Sequence, residues 1–172
     1  MLTELKSKIR DVKDFPKKGI NFKDITTLIK DPKALQQVIE IFYVKYKDSK
    51  IDVVTGIEAR GFILGSILAY KLGVGFVPLR KPGKLPAKII SAEYDLEYGT
   101  DTLCVHEDAI LKGENVLIVD DLIATGGSVQ VACNLIEKLD AKIITVAVLV
   151  ELEFLKGRDK VKSYDIFSIL KY

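Results

Sequence analysis

Little in this sequence invites redox, zinc or membrane chemistry. Cysteine occurs twice and histidine once among 172 residues. Cys104 and Cys133 lie far apart without CxxC spacing, the pattern of two reduced thiols used as filler rather than of a disulfide or zinc site. His106 sits in an alternating stretch, LCVHEDA, with no nucleophile for which it would act as base, and reads as structural. No apolar run approaches the roughly 18 residues of a membrane span. The opening MLTELKSKIR carries charges where a signal peptide has its apolar region, so a cytoplasmic protein is expected. A net charge of only +2 argues against a general nucleic-acid binder. Two common nucleotide fingerprints are missing as well. GxxxxGK[ST] is absent, and Gly73-Val74-Gly75 enters a strand and lacks a third glycine.

What is present is a folding chain of ordinary composition, 48% hydrophobic and 29% charged, without repeat, linker or low-complexity tract. Its length suits a single domain. Leu2, Leu5, Ile9 and Val12 share one helical face and predict a short amphipathic helix. Residues 14–28 read as an ordered loop broken by Pro16 and Gly19. Asp31-Pro32 opens a helix with Leu35, Val38, Ile39, Phe42 and Tyr46 on its buried stripe, ending near Asp48. Strands are expected at 51–57, 74–79, 103–109, 116–120 and 142–150. Helices are expected at 61–72, closed by Gly73, and along Val129, Ala132, Leu135, Ile136 and Leu139. Residues 80–102 form an irregular excursion holding a hairpin. Strands alternating with helices predict an α/β fold, a mainly parallel five-stranded sheet covered on both faces.

In such a sheet ligands bind beyond the carboxyl ends of the strands, and three motifs fall at those ends. They are Glu58-Ala59-Arg60, the stretch from Arg80 to Lys84, and Asp120 to Ser128. The last, in VLIVDDLIATGGS, drives an aliphatic run into two aspartates and then into a small-residue turn before a helix. A turn of this kind presents free N–H groups and the positive end of a helix dipole, which suits a phosphate. Gly126 and Gly127 allow close approach, and Thr125 and Ser128 add hydroxyls. Thr-Gly-Gly-Ser alone is an ordinary capped turn. With two aspartates beside it, which repel phosphate but accept from a diol, the pattern suits a ribose 5-phosphate.

These thirteen residues resemble the phosphoribosyl pyrophosphate signature of type I phosphoribosyltransferases. DFPKKGINFKDIT, IEARGFILG, VPLRKPGKLP, EYDLEYGTD and VELEFLKGR resemble the adenine-specific branch of that family over nearly the whole chain. The resemblance implies a single domain over residues 1–172, with a base-binding hood in residues 1–30 and a flexible loop at 81–102. It implies formation of AMP and pyrophosphate from adenine and 5-phosphoribosyl 1-pyrophosphate (PRPP), with Mg²⁺ held mainly through PRPP rather than by dedicated protein ligands, and a homodimer. Asp120 and Asp121 would take the ribose hydroxyls. Ala124, Thr125, Gly126, Gly127 and Ser128 would take the 5′-phosphate. Glu58, Ala59, Arg60, Arg80, Lys81 and Lys84 would meet the pyrophosphate, and the family's loop after the first strand can hold a non-proline cis peptide. Lys81 reads equally as a solvated surface charge.

Ile20, Asn21, Phe22 and Lys23 would form the hood over adenine, although the pattern alone makes Phe22 plain core. Lys23 stands where relatives have arginine, a point charge in place of a fork, and its role stays open. Glu97 matches the acid/base candidate, with Glu93 as competitor, and Tyr98 would help close the loop. Two other readings are a 6-oxopurine phosphoribosyltransferase and a PRPP-sensing, non-catalytic regulator. The hood segment speaks against the first. The second would need a DNA-reading module, for which the first fifty residues offer no helix-turn-helix pattern.

Overall fold

The computed structural model describes residues 1–95 and 100–172. The chain opens with α1 (Leu2–Ser7), the hairpin strands β1 (Arg10–Lys13) and β2 (Asn21–Asp24), then α2 (Thr26–Lys30) and α3 (Pro32–Tyr46). β3 (Val53–Ile57), α4 (Arg60–Leu72) and β4 (Gly75–Leu79) follow, and β5 (Ile89–Asp95) pairs with β6 (Thr100–His106). The chain continues through β7 (Asn115–Ile123), α5 (Gly127–Lys138), β8 (Lys142–Glu151) and two 3-10 turns to β9 (Ile166–Lys171). The main sheet runs β4-β3-β7-β8-β9, with every neighbouring pair parallel.

The central strands are buried on both faces, and alternate residues feed different cores. Val54, Leu117, Val119, Ala147 and Leu149 pack with α1 to α4. Val53, Ile57, Val116, Ile118, Val146 and Val148 pack with α5 and the β5-β6 hairpin. A strand with no solvent face reads as a continuous apolar run, as 116–119 does. The helix ends follow local chemistry. Asp31 Oδ1 accepts from Lys33 N and Ala34 N at the start of α3. Gly73 closes α4 at φ +73°.

Three expectations change. Residues 103–109 do not enter the main sheet. β6 instead pairs antiparallel with β5, placing Leu103 and Val105 in the core on the α5 side, and the fifth parallel strand is Ile166–Lys171. The stripe through Val12 does not continue α1, because Arg10–Lys13 pairs with Asn21–Asp24 and the helix stops at Ser7. Residues 14–28, expected as loop, contain β2 and the first three residues of α2. In the second case pairing across the hairpin outweighs a local period.

The topology fixes where a ligand can sit. β3 is joined through α4 to β4 on one side, and β7 through α5 to β8 on the other. Their carboxyl ends therefore flank the crevice where the winding reverses. α4 lies so close to β7 that a Cβ on Gly61 would stand 2.8 Å from the Val119 carbonyl oxygen and 3.0 Å from Asp120 Oδ1. Gly61→Ala is expected to cost about 1–3 kcal/mol by overpacking, seen as a lower urea midpoint. Parental stability would show that α4 yields without penalty.

Candidate active site

Val116, Leu117, Ile118 and Val119 are fully buried, and the strand carries that burial into Asp120 (6% exposed) and Asp121 (5%). The carboxylates turn different ways. Asp120 Oδ1 accepts from Asp121 N at 2.8 Å beneath the amino end of α4, whereas Asp121 Oδ2 accepts from Arg60 Nε at 2.5 Å. Burial first, and the Asp121 charge second, push the Asp120 carboxyl well above its usual range.

β7 ends at Ile123, and Ala124 to Gly126 turn into α5. Gly126 stands at φ +81°, a conformation open to glycine, and no side chain caps the helix. The first-turn N–H groups therefore remain for a ligand. Opposite, β3 delivers Glu58, Ala59 and Arg60, and the Glu58–Ala59 peptide is cis. These residues, Lys81, Asp120, Asp121 and Ala124 to Ser128 enclose a cleft of about 270 Å³. The structure thus brings together the residues expected at the ribose, the 5′-phosphate and part of the pyrophosphate.

The expected cations divide. Arg60 and Lys81 line the cleft. Arg80 is directed to Glu58 Oε2 (3.3 Å), the Lys84 carbonyl (3.4 Å) and the Phe62 ring, and Lys84 is exposed on the same loop. Glu58 Oε2 also accepts from Lys81 N at 2.7 Å. Partial burial would raise the Glu58 carboxyl, but the Lys81 N–H and the Arg80 guanidinium outweigh it and hold the group low. The Lys81 ammonium pairs with Asp101, the second residue of β6.

A second cavity, about 320 Å³, lies across Arg60 and is lined by Val12, Phe15, Phe22, Asp24 and Arg60. The Arg60 guanidinium is 5.6 Å from the Phe22 ring centre, and Phe15 meets Phe22 edge-on with centroids 5.3 Å apart. Ile20 and Asn21 are exposed at the start of β2. Lys23 does not join this cavity. Strand alternation puts it on the face opposite Phe22, where its ammonium meets Asp11 Oδ1 at 2.5 Å and lies 4.1 Å from the Tyr172 ring centre. Val12, Phe15 and Asp24 are additions. The period of two in INFKD would have linked Asp24 to Phe22, and hairpin register Val12 to Phe22.

Glu97 and Tyr98 lie outside the described residues. Glu93 is exposed on β5. His106 Nε2 accepts from Ala87 N at 3.3 Å, a contact tying the hairpin to the loop after β4. Both cysteine thiols are buried, and burial pushes Cys133 up to about 12.

Comparison with known proteins adds four likenesses. Residues 24–171 match the model of the phosphoribosyl transferase domain family. The chain is 54% identical to the adenine phosphoribosyltransferase of Christiangramia forsetii over 169 residues, covering 98% of this chain and 99% of that one. It superposes on the crystal structure of the adenine phosphoribosyltransferase of Thermoanaerobacter pseudethanolicus with TM-score 0.96 and 52% identity over the whole of both chains. The Saccharomyces cerevisiae adenine phosphoribosyltransferase, solved with an imino-altritol bisphosphate and adenine, matches with TM-score 0.93 and 42% identity over 98% of each chain.

The raised Asp120 carboxyl has a measurable sign. An acid whose folded-state pKa exceeds its unfolded value weakens the fold as pH rises above that unfolded value. Asp120→Asn keeps an oxygen acceptor for the Asp121 N–H and removes the titration. Its Tm relative to the parent should climb as the pH rises above about 4, the unfolded value. A pH-independent difference would refute the shift.

Proposed function

Because the chain belongs to the adenine phosphoribosyltransferase family, we propose that its cleft joins adenine to the phosphoribosyl group of PRPP, forming AMP and pyrophosphate in purine salvage. One observation carries this reading. Two buried carboxylates and an uncapped helix start share a cleft that Arg60 separates from an aromatic cavity. The cleft suits a sugar phosphate and the cavity a planar base.

In this reading Asp121 and Asp120 accept from the ribose hydroxyls, and the amides from Ala124 to Ser128 receive the 5′-phosphate. For its carboxylate to meet the diol, Asp121 shares or gives up Arg60, whose fork then serves the pyrophosphate with Lys81. The C1′–O bond to pyrophosphate breaks and its electron pair leaves with the pyrophosphate. The N9 lone pair forms the new C1′–N bond, and the N9 proton departs to a base. The anomeric carbon carries positive charge in between, so stabilising the leaving group counts for more than a strong nucleophile. Glu97 remains the proposed proton acceptor, with Glu93 the competitor, and Tyr98 the proposed closing residue. Phe22 and Phe15 offer ring faces and edges to adenine.

No cluster of three or more His, Cys, Asp or Glu residues suited to a metal occurs among the described residues. The cleft carboxylates Asp121 and Glu58 already face cations. In the proposed function Mg²⁺ would be carried mainly on PRPP oxygens and, when bound, would neutralise the leaving group's charge. The reading further includes a cytoplasmic homodimer. Both thiols are buried and unpaired, and an apolar groove between α3 and α4, lined by Leu35, Ile39, Ile67 and an 88% exposed Tyr70, offers a face for a second copy. No helix among the described residues is long and apolar enough to cross a membrane.

Competition assays with Mg²⁺ and PRPP test the base: adenine should be preferred to hypoxanthine and guanine by at least about 10²-fold in kcat/KM, and a preference for hypoxanthine would refute it. Phe22→Ala should raise the KM for adenine roughly tenfold, stacking on an aromatic ring being worth ~1–3 kcal/mol, with the KM for PRPP little changed. An unaltered adenine KM would remove Phe22 from the base site.

A further inference from the structure

After β8 the chain makes a 3-10 turn, Gly157–Val161, before returning as β9. Gly157 presses backbone to backbone against the loop expected to hold the 5′-phosphate. A Cβ on Gly157 would fall 2.3 Å from the Ala124 carbonyl oxygen and 3.0 Å from Gly126 N. A Cβ on Gly126 would fall 2.3 Å from the Gly157 carbonyl oxygen. With no side chain between them to absorb a shift, moving the turn moves the loop.

The turn is held from the other side by Arg158. Its Nε donates to Glu151 Oε1 at 2.5 Å, and its Nη2 to Glu151 Oε2 at 2.8 Å and Ser168 Oγ at 3.3 Å. Nη1 donates to the Ile166 carbonyl at 2.9 Å, and Ser168 Oγ donates to Glu151 Oε2 at 2.5 Å. Glu151 is buried, and the Arg158 bond foremost keeps its carboxyl low, although burial opposes this. Neither Arg158 nor Glu151 lines the cleft. A buried ion pair is a poor source of net stability, but a fork gripping both carboxylate oxygens and a β9 carbonyl fixes geometry closely.

We propose that Arg158 is a positioning residue for donor binding: clamped to Glu151 and β9, it holds Gly157 against Gly126 and so sets the amides that receive the 5′-phosphate. The inference rests on the phosphoribosyl reading of the cleft.

The test is calorimetric affinity for PRPP and AMP, with the KM for adenine at saturating PRPP, each measured well below the variant's Tm. Arg158→Ala should weaken PRPP and AMP about tenfold or more, the scale of a displacement near 1 Å, and leave the adenine KM within about twofold. Arg158→Lys, which keeps the charge and loses the fork, should recover part of the loss. Ser168→Ala loosens the same clamp by one contact and should weaken PRPP by about threefold, a readout that survives should Arg158→Ala fail to fold. Unchanged PRPP affinity in these variants, with the parent binding normally, overturns the role of Arg158 and leaves the proposed function standing. Equal losses for donor and adenine overturn it too, by showing a general stabiliser. A parent that binds no PRPP removes the phosphoribosyl reading and this inference together.

Discussion

Everything at this site depends on two carboxylates being buried at the end of an apolar strand. Charge in such a place must be neutralised, paired or hydrogen-bonded, and the structure treats each acid differently. Asp120 is tucked under the start of α4, bonded to the next amide and pushed toward its neutral form. Asp121 keeps its charge company with Arg60. The arrangement requires α4 to approach β7 closely, which Gly61 permits, and Arg60 to stand one residue earlier on the same helix. The acids thus dictate the helix contact, and the helix contact delivers the arginine.

The aliphatic run, the paired aspartates and the glycine turn were legible in the sequence because each departs from what a neutral strand end would contain. The helix bounded by Asp31-Pro32 and the one closed by Gly73 were legible for the same reason, their ends carrying specific chemistry. Residues 103–109 illustrate the opposite. Alternating apolar residues show that one face is buried, yet they do not say which sheet does the burying, and here the partner is β5. β9, at the edge of the sheet, mixes Phe167, Ser168 and Lys171 among its aliphatics and carries a weaker signal than the fully buried strands.

Side-chain direction was the least legible feature of the site. INFKD contains four expected contacts with a base, Ile20, Asn21, Phe22 and Lys23, and pairing decides that Phe22 and Asp24 face the cavity while Lys23 faces Tyr172. Likewise Arg80 and Lys84 belong to the expected motif, but Glu58 draws Arg80 into joining the ends of β3 and β4. Among the described residues, the cleft's own cations are Arg60 and Lys81. The grip of Arg158 on Glu151 and β9 left no pattern beyond VELEFLKGR, since its meaning lies in a backbone contact between Gly157 and Gly126.

Arg60 forms part of the wall of two separate cavities, touching Asp121 in one and approaching Phe22 in the other. An occupant that draws the guanidinium off Asp121 also reshapes the compartment beside Phe22. Linkage is reciprocal, so whatever factor the first guest applies to the second must be returned unchanged. A single arginine common to both compartments thereby gives their two affinities one shared coupling term.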